Sequence, residues 1–473
     1  MSLSDHPKAY GSAALAAAFA AGILVTLGFK DFYPDLEQWY QGSRDGSRRR
    51  RGAAARSSAG PRRRRSSFFW GGGGAPVQLE DREEQEPSSW PTTAPLPVPS
   101  AFDGDSKSTA VAAGIESCIG NTPLVEIHSL SVATGRTILA KAEFLNGAGN
   151  SPKDRVALSM IAEAERRGLL RPGRGDTIYE GTVGSTGISL ATLARARGYR
   201  AHICMPDDQA LEKSDLLHHL GARVERVPVA PITSPRHFVN LARARAAEHE
   251  RRADDGSRGF FANQFESEAN WHAHFATTGP EIWAQTDGGR LDAFVAGAGT
   301  GGTISGVARY LKLEAKLDAL RVVLADPQGS GLYNKITHGV MYSSTEREGT
   351  RRRQQVDSIV EGIGINRVTE NLEAGRDLID DAVKVSDEQA CRMARWLVEN
   401  DGIFVGSSSS VNCVAAVQAA MALPEGSRVV TILCDSGTRH LSKFWKRIKE
   451  MGLEEEEAID LFQELGITRP PSP

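Results

Sequence analysis

The chain has 473 residues, enough for two or three domains on length alone. Its 56 Lys and Arg against 59 Asp and Glu leave a formal net charge of −3, so no chain-wide basic surface of the nucleic-acid-binding kind is built in. Five cysteines, Cys118, Cys204, Cys391, Cys413 and Cys434, are widely spaced, odd in number and never in a C-x-x-C, which argues against a disulfide framework or a zinc site.

Residues 11–29 are 19 residues without a charge, rich in Ala, Leu, Val and Ile, just long enough to span a bilayer as a helix. A secretory signal would have a more basic start and a shorter apolar core, and a transit peptide would be amphipathic with Arg within it. A membrane anchor at 11–29, inside an N-terminal segment 1–41, is therefore the expectation. Residues 42–108 hold Arg48–Arg51, Arg62–Arg65, Gly71–Gly74, an acidic patch and a Pro/Ser/Thr-rich stretch. That composition cannot bury a core and reads as a disordered linker. The arginine clusters could serve as a nuclear signal or touch nucleic acid, but beside an apolar helix an orienting or lipid-facing role is favoured. They follow the apolar run, which puts the rest of the chain on the cytosolic side.

From about residue 109 strand and helix patterns alternate, the mark of an α/β fold with parallel sheets covered by helices. The extended run Thr137-Ile138-Leu139-Ala140-Lys141-Ala142 precedes Asn150-Ser151-Pro152-Lys153-Asp154-Arg155. Val156, Ala157, Met160, Ile161 and Ala164 then repeat at helical spacing until Gly168. A lysine between Pro and Asp is ordinarily a solvated surface charge. Lys153, however, stands where a loop enters a helix N-terminus. The positive end of the helix dipole disfavours an ammonium there, as a Schiff-base lysine requires.

Next, Thr177-Ile178-Tyr179 leads into Glu180-Gly181-Thr182-Val183-Gly184-Ser185-Thr186-Gly187 and a helical stretch. Amides and hydroxyls at a helix start suit a carboxylate, although a plain structural turn looks the same in isolation. Strand candidates at 200–204 and 223–227 flank a helix at 211–220. His218 and His219 are neighbours that cannot share one helix face and read as structural. Phe294-Val295 runs into Ala296-Gly297-Ala298-Gly299-Thr300-Gly301-Gly302-Thr303 and a second helix start, an anion cradle. Its spacing approaches a dinucleotide fingerprint, and Asp326 lies roughly where a ribose-binding acid would be, so NAD stays open at this point. A strand at 320–325 follows. Residues 345–355, with Arg351-Arg352-Arg353, read as a polar surface loop. Val429 to Cys434 forms a buried-type strand ending in Asp435-Ser436-Gly437, and strand ends are where open α/β sheets hold ligands. Residues 460–465 suggest a short terminal helix.

These stretches, together with Ile119-Gly120-Asn121-Thr122-Pro123-Leu124-Val125, Asn263-Gln264-Phe265-Glu266, Thr277-Thr278-Gly279-Pro280-Glu281-Ile282-Trp283 and Gly362-Ile363-Gly364, occur in the order seen in one family. Over roughly residues 109–445 the chain resembles the cysteine synthase and cystathionine β-synthase family of pyridoxal-phosphate enzymes, and within it the membrane-anchored fungal type. The resemblance implies two three-layer αβα domains of the tryptophan synthase β kind, with pyridoxal 5'-phosphate in the cleft between them. The catalytic region would be 109–473, its smaller subdomain about 150–260 and its larger the remainder. Lys153 would be the Schiff-base lysine and the base for the α-proton. Gly299, Thr300, Gly301, Gly302 and Thr303 would hold the phosphate. Ser436 would bond the pyridine nitrogen; Asp435, its neighbour, would face the other way along the strand. Ser185 would stand beside the ring, and Thr182, Gly184, Thr186 and Gln264 would bind the substrate carboxylate.

The implied reaction is β-replacement that makes L-cysteine from O-acetyl-L-serine and sulfide, in a homodimer on the mitochondrial outer membrane. The implied partners are an amino-acid substrate, sulfide and the membrane, with no nucleic acid and no metal. Two departures stand out. Ser185 replaces the family's Asn, and Val183 replaces a Ser. They keep alternatives open, namely another β-elimination or β-replacement on serine or cysteine, or a tethered homologue of low activity.

Overall fold

Short runs rich in Val, Ile, Leu and Ala, closed by Gly, Asp or charged residues, build two sheets. The computed structural model describes residues 111–341, 358–454 and 460–468, all within one compact unit, Ser88–Pro473. The expected anchor at 11–29, the linker at 42–108 and the polar loop at 345–355 lie outside the described residues. Among the described residues, no helix is long and apolar enough to cross a membrane.

The strands are β1 (Leu124–Glu126), β2 (Thr137–Ala142), β3 (Thr177–Gly181), β4 (Arg200–Pro206), β5 (Arg223–Val227), β6 (Gly259–Phe261), β7 (Ala293–Gly297), β8 (Arg321–Pro327), β9 (Asp381–Val385) and β10 (Arg428–Leu433). The helices used below are α1 (Lys153–Arg166), α2 (Ser185–Arg197), α3 (Leu211–His219), α4 (Phe238–Arg252), α5 (Gly302–Ala308) and α6 (Ser407–Met421).

One sheet has six strands in the order β1-β2-β10-β7-β8-β9, the other four in the order β5-β4-β3-β6. The β1–β2 pair is antiparallel; every other pair is parallel. Parallel strands need helical crossovers, so both faces become covered and the strands turn apolar throughout. β7 shows this directly. Phe294 and Ala296 pack with Ile304 and Val307 of α5. Ala293 and Val295 point the other way, onto Val411 and Val414 of α6. β4 divides likewise. Ile203 and Met205 join Val156, Met160 and Ile161 of α1 and Ile188 of α2. Cys204 faces Phe238, Val239 and Ala242 of α4. Each fully buried Leu, Ile or Phe contributes about 1.5–3 kcal/mol, so the two halves hold separate cores around separate sheets.

Helix ends follow local chemistry. Just beyond α1, Gly168 has φ +67, and α2 stops at the left-handed Gly198. The tail helix spans Leu461–Leu465 and is capped by Asp460. The C-terminal ends of β3, β7 and β10 all run toward one cavity between the two sheets. Residues from each of the three turns line it, as the strand-end rule for α/β sheets requires.

Candidate active site

Lys153 is the first residue of α1 and lines the cavity. Burial pushes its amine below the usual lysine range, while the charges of Asp435 and Glu143 and the Cys434 thiol pull in the opposite direction. Among the described residues its Nζ has neither a hydrogen bond nor an ion pair, so the amine is left for a ligand. The turn beneath it is held from below. Arg155 Nη1 donates to Glu281 at 2.6 Å and its Nη2 to Glu143 at 2.8 Å. Lys141 Nζ sits 2.7 Å from Glu281 Oε2. These groups are buried and compensate one another, as buried charges must. They pin the first turn of α1 to β2 and to the helix carrying Glu281.

The turn after β7 is a crowded cradle. A Cβ on Gly299 would lie 2.3 Å from the Gly362 carbonyl oxygen, and one on Gly302 would lie 2.0 Å from Asn270 Oδ1. Gly301 has φ +85, and a Cβ there would meet the Leu372 backbone at 2.6 Å. Only glycine fits this path. Asn270 Nδ2 donates to Thr300 Oγ1 at 2.9 Å, and Thr369 Oγ1 donates to the Thr300 carbonyl at 2.6 Å. Gly299 and Thr300 line the cavity. Gly301 caps α5, whose first residues are Gly302 and Thr303.

Across the cavity stands the turn after β3. Thr182, Val183, Ser185 and Thr186 line it, as does Gln264. Thr186 Oγ1 is 2.5 Å from Gln264 Oε1, and Gln264 Nε2 donates to the Gly181 carbonyl at 3.2 Å. Gly184 lies behind the turn, where a Cβ would come within 2.5 Å of Lys213 Cδ. Ser185 Oγ reaches toward Asp435 Oδ2 at 3.5 Å.

The end of β10 departs from expectation. Asp435 and Cys434 line the cavity and Ser436 does not. β10 ends at Leu433, so strand alternation no longer governs residues 434–436. Instead Ser436 forms an isolated bridge with Val405, and its Oγ accepts from the Thr438 N–H to cap a short helix. Ser408, in the first turn of α6, lines the cavity instead, and it hydrogen-bonds the Cys434 thiol. Its neighbours are engaged elsewhere: Ser407 Oγ accepts from the Glu361 N–H at 3.1 Å, and Ser409 Oγ from the Cys434 N–H at 2.8 Å. The four serines 407–410 after Gly406 were the sequence signal for this position. Burial lifts Cys434 to about 12, so it is a neutral thiol.

Also unforeseen is a buried charged cluster at the cavity edge. Lys213 Nζ meets Glu361 Oε2 at 2.5 Å, with Lys443 Nζ at 3.3 Å from Glu361 Oε1. His440 lies between Glu361 and Asp435, with its Nε2 3.1 Å from Asp435 Oδ1. Burial pushes the Asp435 carboxyl up, but His440, Lys213 and Arg439 outweigh it and hold it at about 2.

A bare, desolvated lysine, a glycine cradle at a helix start and a polar carboxylate-sized turn around one cavity of about 740 Å³ fit pyridoxal phosphate with an amino acid. Residues 115–435 match the family described as pyridoxal-phosphate dependent enzyme. A Neurospora crassa protein called cysteine synthase 2 is 68% identical over 470 residues, 99% of each chain. The chain belongs to the cysteine synthase and cystathionine β-synthase family of pyridoxal-phosphate dependent enzymes. A Saccharomyces cerevisiae member with the provisional name mitochondrial cysteine synthase is 57% identical, over 72% of this chain and 85% of its own. Two solved structures share the fold. O-ureido-L-serine synthase superposes with a TM-score of 0.61 at 32% identity, covering 74% of this chain and 98% of its own. An O-acetylserine dependent cystathionine beta-synthase from Helicobacter pylori gives 0.59 at 33% identity, covering 71% and 98%. The family's cofactor is pyridoxal 5'-phosphate, which removes NAD as a reading of the glycine turn.

Proposed function

We propose that this enzyme makes L-cysteine from O-acetyl-L-serine and sulfide, with acetate as the other product. The observation that carries the reading is the unpartnered Lys153 amine in one cavity with the Thr186–Gln264 pair. The names of the relatives support it. Gly299 to Thr303 would hold the cofactor phosphate and Ser408, rather than Ser436, the pyridine nitrogen. Bound pyridoxal phosphate supplies an electron sink for the substrate's α-carbon. Thr182, Thr186 and Gln264 orient the substrate carboxylate, with the backbone of Gly184 shaping their turn. Lys153 Nζ, lowered toward neutrality by burial, takes the α-proton. Acetate then leaves the β-carbon and sulfide takes its place.

In the test, holoenzyme receives O-acetyl-L-serine and sulfide, and cysteine and acetate are quantified. Equal yields are expected, and Lys153→Ala should lose about a thousandfold in turnover or more together with the visible band of bound cofactor. No cysteine from wild-type holoenzyme would sink the reading. A second reading has an observation of its own. Val183 and Ser185 change the polar face of the substrate turn, which favours β-elimination or β-replacement on serine or cysteine. Turnover of those amino acids in place of O-acetyl-L-serine would select it.

We further propose that residues 11–29 anchor the chain in the mitochondrial outer membrane with the catalytic region in the cytosol. The uncharged run, the arginines that follow it and the name of the yeast relative support this. Extraction of the full chain by carbonate would refute it. We carry a homodimer as the working assembly, checked by mass in solution.

A further inference from the structure

The geometry points to Lys213 and Glu361 as positioning residues: together they clamp the substrate turn, residues 182–186, onto the larger half of the molecule. The inference rests on the acyl-donor reading above.

Lys213 belongs to α3, on the four-stranded half. Its stem lies over the back of the substrate turn, with Cδ 2.5 Å from where a Gly184 Cβ would stand. Gly184 has φ +139, so the turn leaves open the groove that the lysine stem fills. The ammonium then crosses to Glu361, whose backbone N–H is fixed on Ser407 beside Ser408. Both side chains are 3% exposed. One lysine thus touches the back of the turn that holds the substrate carboxylate and the segment that packs on the cofactor side.

Two further contacts cross at the same edge. Ser185 Oγ faces Asp435 at 3.5 Å, and Glu212 accepts from the Ser442 N–H at 2.7 Å and its Oγ at 2.5 Å. The clamp has a way to open. Leaving a buried carboxylate alone is costly, but Lys443, 33% exposed, stays on Glu361 when Lys213 withdraws. His440 Nδ1 also faces Glu361, at 3.6 Å. A charge pair of this kind adds little net stability and a great deal of geometry.

The test uses holoenzyme of Lys213→Met, Lys213→Arg and Glu361→Gln. Lys213→Met should raise KM for O-acetyl-L-serine by about tenfold, with kcat within about threefold and cofactor retention unchanged. Lys213→Arg should restore most of the loss, and the Met/Gln double variant should be no worse than the worse single one. Without substrate, amide hydrogen exchange over residues 182–190 should be faster in Lys213→Met than in wild type. Unchanged KM together with unchanged exchange overturns the clamp. If wild type ignores O-acetyl-L-serine, the function reading fails, while the exchange result still decides the clamp. Loss of bound cofactor in Lys213→Met would also count against it, since a clamp on the substrate turn leaves the cradle untouched.

Discussion

The turn after β7 and the turn after β3 share one local plan: strand end, glycines, helix start. Their backing differs. The first is walled by rigid backbone and by Asn270, Thr300 and Thr369. The second is backed by the flexible stem of Lys213 and meets the opposite half through Lys213–Glu361 and Ser185–Asp435. The same motif is therefore backed by backbone in one place and by a flexible side chain in the other. What separates them is what a Cβ would strike, which no glycine spacing records.

Substituting the glycines tests that contrast most severely. Gly301→Ala puts a Cβ at 2.6 Å from the Leu372 backbone at φ +85, where nothing can yield. Cofactor affinity should fall by about a hundredfold, the equivalent of about 2.7 kcal/mol, as read by absorbance titration. Gly184→Ala strikes only the Lys213 stem. Its strained φ weakens the substrate turn, so KM should rise while cofactor affinity holds. Equal losses of cofactor in the two variants would break the comparison.

A smaller effect separates two serines. Ser408→Ala should change the visible spectrum of bound cofactor and cost about tenfold in turnover, the range of one lost hydrogen bond. Ser436→Ala should stay within about twofold, since its hydroxyl caps a short helix. The reverse order would return the pyridine nitrogen to Ser436.

The last contrast concerns the strands that feed the two turns. β7 is apolar to its end, whereas β3 carries Glu180, buried, with Oε1 unpartnered among the described residues. Burial lifts its carboxyl to about 8 against the backbone and side-chain bonds of Gln264. The folded value lies above the unfolded one, so this group's contribution is present at low pH and lost as pH rises from about 4.5 through 8. Glu180→Gln should flatten the fall of the thermal midpoint across that window. One group can supply at most about 1.4 kcal/mol per pH unit. An unchanged pH slope would show that Glu180 is not held neutral.

Much of this was legible in the order of residues. Lys153 at a helix start, both glycine turns and the alternation of strands and helices are local patterns set by backbone chemistry and side-chain period. Thr182, Thr186, Gln264, Gly299 and Thr300 were placed in one site by family resemblance, and they do share one cavity. That Ser408 and Asp435 line the cavity and Ser436 does not was not legible: Ser436 was placed by resemblance and Asp435 set aside by strand alternation, but past the end of β10 the chain turns to bridge Val405. The role of Glu281 was equally hidden, since its partners Lys141 and Arg155 lie far from it in sequence.

By itself, then, the sequence determined which segments would be strands, which glycine turns would lead into helix starts and which lysine would stand at a helix N-terminus, because those depend on neighbours a few residues away. Tertiary structure alone decided which of these two serines lines the cavity and which charge crosses the cleft. Lys213 and Glu361 are 148 positions apart. Whether they meet depends on how two independently cored sheets close on one another.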